Sequence, residues 1–198
     1  MIKYIVWNWG DSLRVISGEK KGFNLKAPKG RDTRPTEDRI KESMFNILKI
    51  IDENSIVLDL FAGSGSIGIE FLSRGAKKAY FVDKSNISIN TIKDNLNHTR
   101  LIDKSKIIRT DSFKAIKLFG KKNVKFNYIF IDPPYEENLI IKAIKNIDEE
   151  NILLENGIII AEHEKELDLP DTINGLKKID IRNYGSKSLT FYTYEKEA

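Results

Sequence analysis

Asp132-Pro133-Pro134-Tyr135 carries the most specific chemistry in this sequence. The apolar run before it, Tyr128-Ile129-Phe130-Ile131, reads as a buried strand. Two consecutive prolines end such a strand and hold the backbone extended. Asp132 is thereby left at the strand's carboxyl end, where open α/β sheets bind ligands. Tyr135 adds a flat aromatic face beside a carboxylate and the rigid carbonyl of Pro133. A planar group with an exocyclic amine fits that corner, its ring stacked and its amine hydrogens donated to the oxygens. A strand stop with an Asx-type turn and a surface Tyr uses the same residues, so the rest of the chain decides between the two.

A second constellation runs from Val57 to Gly68. Gly63, Gly65 and Gly68 fit G-x-G-x-x-G between a strand and a helix. Glycines there permit a tight turn, close ligand approach and close helix packing. A dinucleotide enzyme would seat pyrophosphate on the helix terminus. Asp59, however, brings a carboxylate into the loop, a poor neighbour for phosphate and a good one for an ammonium group. Phe61 and Ser64 complete the loop. Asp83, followed by Lys84, closes the next strand, where it can accept from both hydroxyls of a ribose or cap the following helix. Asp111, followed by Ser112 and Phe113, closes the third. It can receive an adenine amine, with Phe113 over the ring, or serve as a cap. Asp59, Asp83, Asp111 and Asp132 end four successive strands, and in a doubly wound sheet those ends share one edge. A single site for a cationic nucleoside and an amine accounts for all four.

The elements that position these residues follow an alternating rhythm. Strands are predicted at Ile56–Leu60, Ala79–Val82, Lys106–Arg109, Tyr128–Ile131 and Ile158–Ala161. Helices are predicted at about Ser66–Arg74, Ser85–Asn97, Phe113–Phe119 and Leu139–Ile147. This order implies a mainly parallel sheet covered on both faces. Lys177–Tyr184 and Ser188–Tyr194, joined through Gly185, read as an antiparallel hairpin. Upstream, Leu13–Ile16 and Phe23–Lys26 read as a basic β-hairpin. Thr36 is a candidate N-cap for a helix carrying Ile40, Met44, Phe45, Ile47 and Leu48. The chain thus divides into a hairpin and helix over 13–50 and a main domain over 51–198. Residues 1–12 fit neither pattern and read as an extension or a misassigned start, with Leu13 the expected beginning.

With 198 residues and 40% hydrophobic content, one real core is expected. No cysteine is present, which excludes disulfides and thiolate chemistry. Two histidines, His98 and His163, cannot by themselves build a typical zinc site, and no metal is expected. No apolar stretch reaches membrane-spanning length, and the first residues lack the order of a secretion signal, so a cytoplasmic location is expected. The net charge of +4 is modest, but its placement is uneven. Arg14 to Arg34 holds seven basic residues against two acidic ones, and Arg100 to Lys125 holds nine against two. Such stretches suit a phosphate backbone. Arg14, Lys20, Lys21 and Lys26 in the hairpin are the candidate nucleic-acid contacts, with Arg34 and Tyr135.

On Arg14–Gly18, Thr33–Arg39, Phe45-Asn46-Ile47-Leu48, Leu58–Gly68, Ser73–Ala76 and Asp132–Tyr135, the sequence resembles the class I S-adenosylmethionine-dependent methyltransferases. More narrowly it resembles the RsmD family, the bacterial 16S ribosomal RNA guanine-N2 methyltransferases. The glycine loop and the Asp-Pro-Pro-Tyr motif indicate the class; the Arg-Pro-Thr and Phe-Asn-Ile-Leu segments are narrower. The resemblance implies a Rossmann-like seven-stranded sheet of order 3-2-1-4-5-7-6. It implies S-adenosylmethionine as cofactor, with Asp59 and Gly63–Gly65 at its methionine part, Asp83 at the ribose and Asp111 at the adenine. Phe61, Lys84, Ser112 and Asp132 complete the expected cofactor contacts. Asp132, Pro133 and Tyr135 would hold the target base. The implied partner is 16S rRNA, within the 30S subunit or an assembly intermediate, met by a monomer. Three other readings share parts of the pattern. A DNA adenine-N6 methyltransferase shares the loop and the motif, but the chain shows no separate target-recognition domain. A NAD-binding oxidoreductase shares the glycines and the spacing to Asp83, but not Asp59 or the prolines. A non-catalytic RNA-binding protein would not require the intact site residues.

Overall fold

The computed structural model describes residues 13–28, 38–134 and 137–195. The expected N-terminal extension, the Thr36 cap, Arg34 and Tyr135 lie outside the described residues. The alternating apolar runs form β1 (Ile56–Asp59), β2 (Lys78–Asp83), β3 (Ser105–Arg109), β4 (Phe126–Ile131) and β5 (Leu153–Glu164). The helices are α1 (Asp38–Leu48), α2 (Ser66–Ser73), α3 (Asn86–His98), α4 (Ser112–Lys121) and α5 (Glu137–Glu149). β6 (Thr172–Ile173), β7 (Leu176–Tyr184) and β8 (Lys187–Tyr194) complete a single sheet of order β3-β2-β1-β4-β5-β8-β7-β6. β1 to β5 pair in parallel, while β8, β7 and β6 pair antiparallel.

The sheet has eight strands where the resemblance implied seven. The added strand is β6, two residues long, paired to the start of β7. Ile173 faces Leu176, so Asn174-Gly175 is a two-residue hairpin loop. Asn174 has φ 51°, which Asn tolerates and which such a loop requires. That dipeptide is the signal that the strand reading passed over.

Helices cover both faces, which is why the parallel strands read as nearly continuous apolar runs. On one face Phe45, Phe71, Ile92 and Leu96 pack with Phe81, Phe130, Ile160 and Phe191. On the other, Ile116, Phe119, Ile144 and Ile147 pack with Leu58, Ile129, Ile159 and Tyr192. No helix among the described residues is long and apolar enough to cross a membrane.

The N-terminal hairpin has one ladder bridge, Arg14 with Asn24, and backbone bonds from Val15 to Phe23 and from Leu25 to Leu13. Docking on α2 holds it. The buried Glu70 carboxylate accepts from the amides of Ile16 (2.9 Å) and Ser17 (3.0 Å) and from Arg74 Nε (2.8 Å). Ser73 Oγ donates to Ser17 O and accepts from Lys20 N. Gly18 has φ 80°, and a Cβ there would lie 2.0 Å from Ser73 O, so only glycine fits. α1 joins the same assembly, with Phe45 edge-on to Phe71 at 4.7 Å and Arg74 over the Phe45 ring at 4.1 Å.

Candidate active site

Because β1 and β2 are parallel, α2 must run back against them, and the β1–α2 loop sits at the sheet's carboxyl edge. Gly63 (φ 53°) and Gly65 (φ 78°) turn the chain there, with Gly65 at the N-cap position of α2. Glycine has no side chain to cap a helix, and Asp59 supplies the missing acceptor, its Oδ2 accepting from Gly68 N at 3.1 Å. Gly68 is needed for packing, since a Cβ there would lie 2.3 Å from Phe81 Cε1.

Asp59 is 2% exposed. Burial, with the Asp83 carboxylate nearby, pushes its carboxyl up to about 7, and the Gly68 amide works against that rise. A carboxyl so placed favours a cation at the loop, because a nearby positive charge restores its ionised form. Asp83 holds the loop from the adjacent strand. Its Oδ2 accepts from Gly63 N at 3.0 Å and its Oδ1 from Ser85 N at 2.7 Å. The cap of α3 is Ser85, not Asp83. Asp111 does cap α4, its Oδ1 accepting from Phe113 N (3.0 Å) and Lys114 N (3.1 Å). Asp111 Oδ2 makes no hydrogen bond among the described residues, so cap and ligand roles are compatible. Ser112 is buried and donates to Leu60 O at 3.0 Å, which ties α4 to the end of β1. Phe61 is half-buried and Lys84 exposed at the same edge.

Asp132 follows β4, half-buried. Burial and the Glu162 carboxylate raise it well above the ordinary carboxylate range; Lys187 opposes them, and Asp59 and Glu164 add smaller upward pushes. The four aspartates follow neighbouring parallel strands and so lie along the sheet's carboxyl edge, where the Asp59 carboxylate adds to the rise at Asp132. Three further residues join them that sequence reasoning missed. Glu162 and Glu164 end β5, and Lys187, which starts β8, pairs with Glu164 at 3.0 Å. The polar ending Glu162-His163-Glu164 on an otherwise apolar strand was the available signal. His163 belongs elsewhere: its ring bonds Thr190 Oγ1 and Glu164 O at 2.8 Å each, and burial pushes its pKa down.

Of the basic candidates among the described residues, only Lys26 comes near this edge, its backbone sharing the Asn95 amide with Ser64 of the glycine loop. Lys20 and Lys21 sit on the turn bonded to Ser73, at the far end of α2, about 12 Å of helix from the glycine loop. Arg14 pairs with Asp38 at 2.7 Å and Lys26 with Asp94 at 2.8 Å. Among the described residues no group of three or more His, Asp or Glu could hold a metal ion.

A loop turned by two glycines of positive φ, backed by a buried carboxylate and flanked by two more, suits a cationic nucleoside. Comparison with known proteins points the same way. The family model described as Conserved hypothetical protein 95 matches residues 13–193. The Bacillus subtilis protein YlbH is 42% identical over 180 residues, covering 91% of this chain and 98% of that one. Ribosomal RNA small subunit methyltransferase D of Haemophilus influenzae is 37% identical over 155 residues, covering 78% and 80%. Among solved structures, Haemophilus influenzae HI0767 superposes with a TM-score of 0.77 at 31% identity, over 94% of this chain and all of that one.

Proposed function

Because this chain belongs to the RsmD family, the Conserved hypothetical protein 95 group that includes small-subunit ribosomal RNA methyltransferases, we propose that it methylates the N2 amine of a guanine in 16S rRNA. The donor is S-adenosylmethionine and the substrate is the 30S subunit or an assembly intermediate, met by a cytoplasmic monomer. One observation supports the reading most: Asp59, Asp83, Asp111 and Asp132 share the carboxyl edge of the sheet around the glycine loop.

S-adenosylmethionine supplies a methyl group activated by a cationic sulfur. Asp59 and Gly63–Gly65 receive its methionine end, Asp83 its ribose, and Asp111 with Phe113 its adenine. Methyl transfer is an in-line displacement, so the protein contributes mainly positioning and charge. The guanine amine is a poor nucleophile because its lone pair is delocalised into the ring. Asp132 and the Pro133 carbonyl accept its two hydrogens and draw the lone pair out of the ring plane. Tyr135 stacks on the base, a contact worth about 1–3 kcal/mol. The base must leave its helical stack to reach the pocket. When bound, S-adenosylmethionine would supply the methyl group with its sulfur as leaving group, while Asp132 and the Pro133 carbonyl would hold the amine in line and its proton would leave to water.

The test is methylation of 30S subunits, naked rRNA and duplex DNA, with nucleoside mass spectrometry of the products. N2-methylguanosine in rRNA supports the proposal. N6-methyladenine in DNA would replace it, and calorimetric binding of NAD without S-adenosylmethionine would dismiss it. Loss of one N2-methylguanosine from rRNA of a deletion strain identifies the nucleotide.

A further inference from the structure

Asn95 lies in the third turn of α3, 31 residues along the chain from Ser64, and is 1% exposed. Its amide is fully used. Oδ1 accepts from Lys26 N at 2.8 Å, while Nδ2 donates to Lys26 O and to Ser64 O at 2.9 Å each. These partners fix the amide's orientation, because a flipped side chain would set NH₂ against an N–H and oxygen against two carbonyls. One buried side chain therefore joins two segments that do not otherwise belong together. Ser64 is the centre of the glycine loop, between two residues of positive φ. Lys26 is the last strand-like residue of the N-terminal basic hairpin, and its backbone has both polar groups on Asn95. One turn earlier on α3, Ile92 packs against Gly65, where a Cβ would come within 3.3 Å of its Cγ1. The loop is thus pinned twice. Asp83 holds the Gly63 amide from β2, and Asn95 holds the Ser64 carbonyl from α3.

We propose that Asn95 is a positioning residue that orients the Ser64 peptide for the cofactor and couples cofactor binding to the N-terminal hairpin through Lys26. The inference rests on the reading that the glycine loop receives S-adenosylmethionine. The peptide at Ser64 is flanked by two glycines and has little intrinsic conformational preference. Without the Nδ2 donor its carbonyl is unheld and the peptide keeps only the Gly65 N–H bond to Ala62 O at 2.6 Å, so more of the loop's order must be supplied at the moment of binding. By reciprocity, a ligand that orders Ser64 also steadies Asn95 and the Lys26 backbone on its other side.

Thr99 provides the control. It is buried just beyond the same helix, but its hydroxyl bonds only to the Asn95 and Leu96 carbonyls. Asn95→Ala should raise the calorimetric Kd for S-adenosylmethionine at least tenfold, while Thr99→Ala, at comparable loss of Tm, leaves it within twofold. In the unmodified protein, saturating S-adenosylhomocysteine should slow hydrogen exchange at the Lys26 amide at least fivefold, a measurement that needs no variant to fold. Equal Kd values for the two variants, or Lys26 exchange unchanged in a protein that binds the ligand, would overturn the assignment. A wild-type protein that binds neither ligand would instead overturn the cofactor reading itself.

Discussion

Asp132, just beyond β4, and Glu162, near the end of β5, stand at the same level of adjacent parallel strands, since the last paired residues before them are Ile131 and Ala161. The Glu162 carboxylate disfavours ionisation of Asp132, and Lys187, opposite Glu164 at the start of β8, offsets part of that effect. Asp132 must be ionised to accept the amine hydrogens, so activity should rise with pH through its raised pKa. Glu162→Gln removes a negative neighbour and should move the acid limb of kcat/KM down by about one pH unit. Lys187→Met should move it up. The check is a pH–rate profile for the three proteins, with no movement in either variant counting against the coupling.

Asp132→Ala should reduce turnover by about 10²–10³-fold or more, the scale of losing a group that acts mainly in the transition state. The Kd for S-adenosylmethionine should stay close to the wild-type value, because Asp83 and the loop remain. Comparable losses in calorimetry and in turnover would instead make Asp132 a binding residue.

If the loop receives S-adenosylmethionine as proposed, Asp59 should link cofactor affinity to stability. Its folded-state pKa, about 7, lies above the ordinary 3.8, so the native state holds this proton more tightly than the unfolded chain. The stability it confers is complete below about pH 4 and is lost as pH rises to about 7. Asp59→Asn should therefore stabilise the apo protein at pH 8, by about 1–3 kcal/mol, with little gain at pH 4. The same change should weaken S-adenosylmethionine binding and abolish its improvement with rising pH. Thermal melts and calorimetry at pH 4, 6 and 8 measure both effects.

Gly68→Ala places a methyl 2.3 Å from Phe81 Cε1 inside a packed core, and should cost about 1–3 kcal/mol. Phe81→Leu vacates that space. The double variant should recover part of the loss, giving a favourable interaction energy in a double-mutant cycle of denaturant midpoints. Strict additivity would show that the clash is relieved by another route.

Lys20 and Lys21 lie at the far end of α2 from the glycine loop, so an RNA contact there would carry a distinct signature. Lys21→Gln should weaken RNA binding and lower the slope of log K against log salt by about one, with kcat at saturating RNA unchanged. Filter-binding titrations between low and moderate salt provide the measurement. An unchanged slope would mean that Lys21 is a solvated surface cation.

The strand ends were readable because they depend on short-range features. Pro133-Pro134 stops β4, glycines follow β1, and Asp111 supplies an acceptor for the first amides of α4. Even the overlooked β6 was written in the chain as Asn174-Gly175. Lys187 was not readable in the same way. It reaches the carboxyl edge only because β8 runs antiparallel to β5 with Lys187 opposite Glu164, and a shift of one residue would send it to the other face. Lys41 and Glu70 look like surface charges of amphipathic helices. Both are fully buried, with Lys41 donating to the Arg14 carbonyl and Glu70 accepting hairpin amides.

The amino-acid order by itself determined the alternating elements, the shared edge of four aspartates and the chemistry suited to it, because periodicity, turn residues and parallel connections are properties of neighbouring positions. Only the tertiary structure decided which buried polar groups meet: Asn95 with Ser64 and Lys26, and Glu70 with Ile16 and Ser17. The reason is physical. A buried polar side chain must find a partner, but which partner it finds is set by strand register and helix packing, distances that no local pattern encodes.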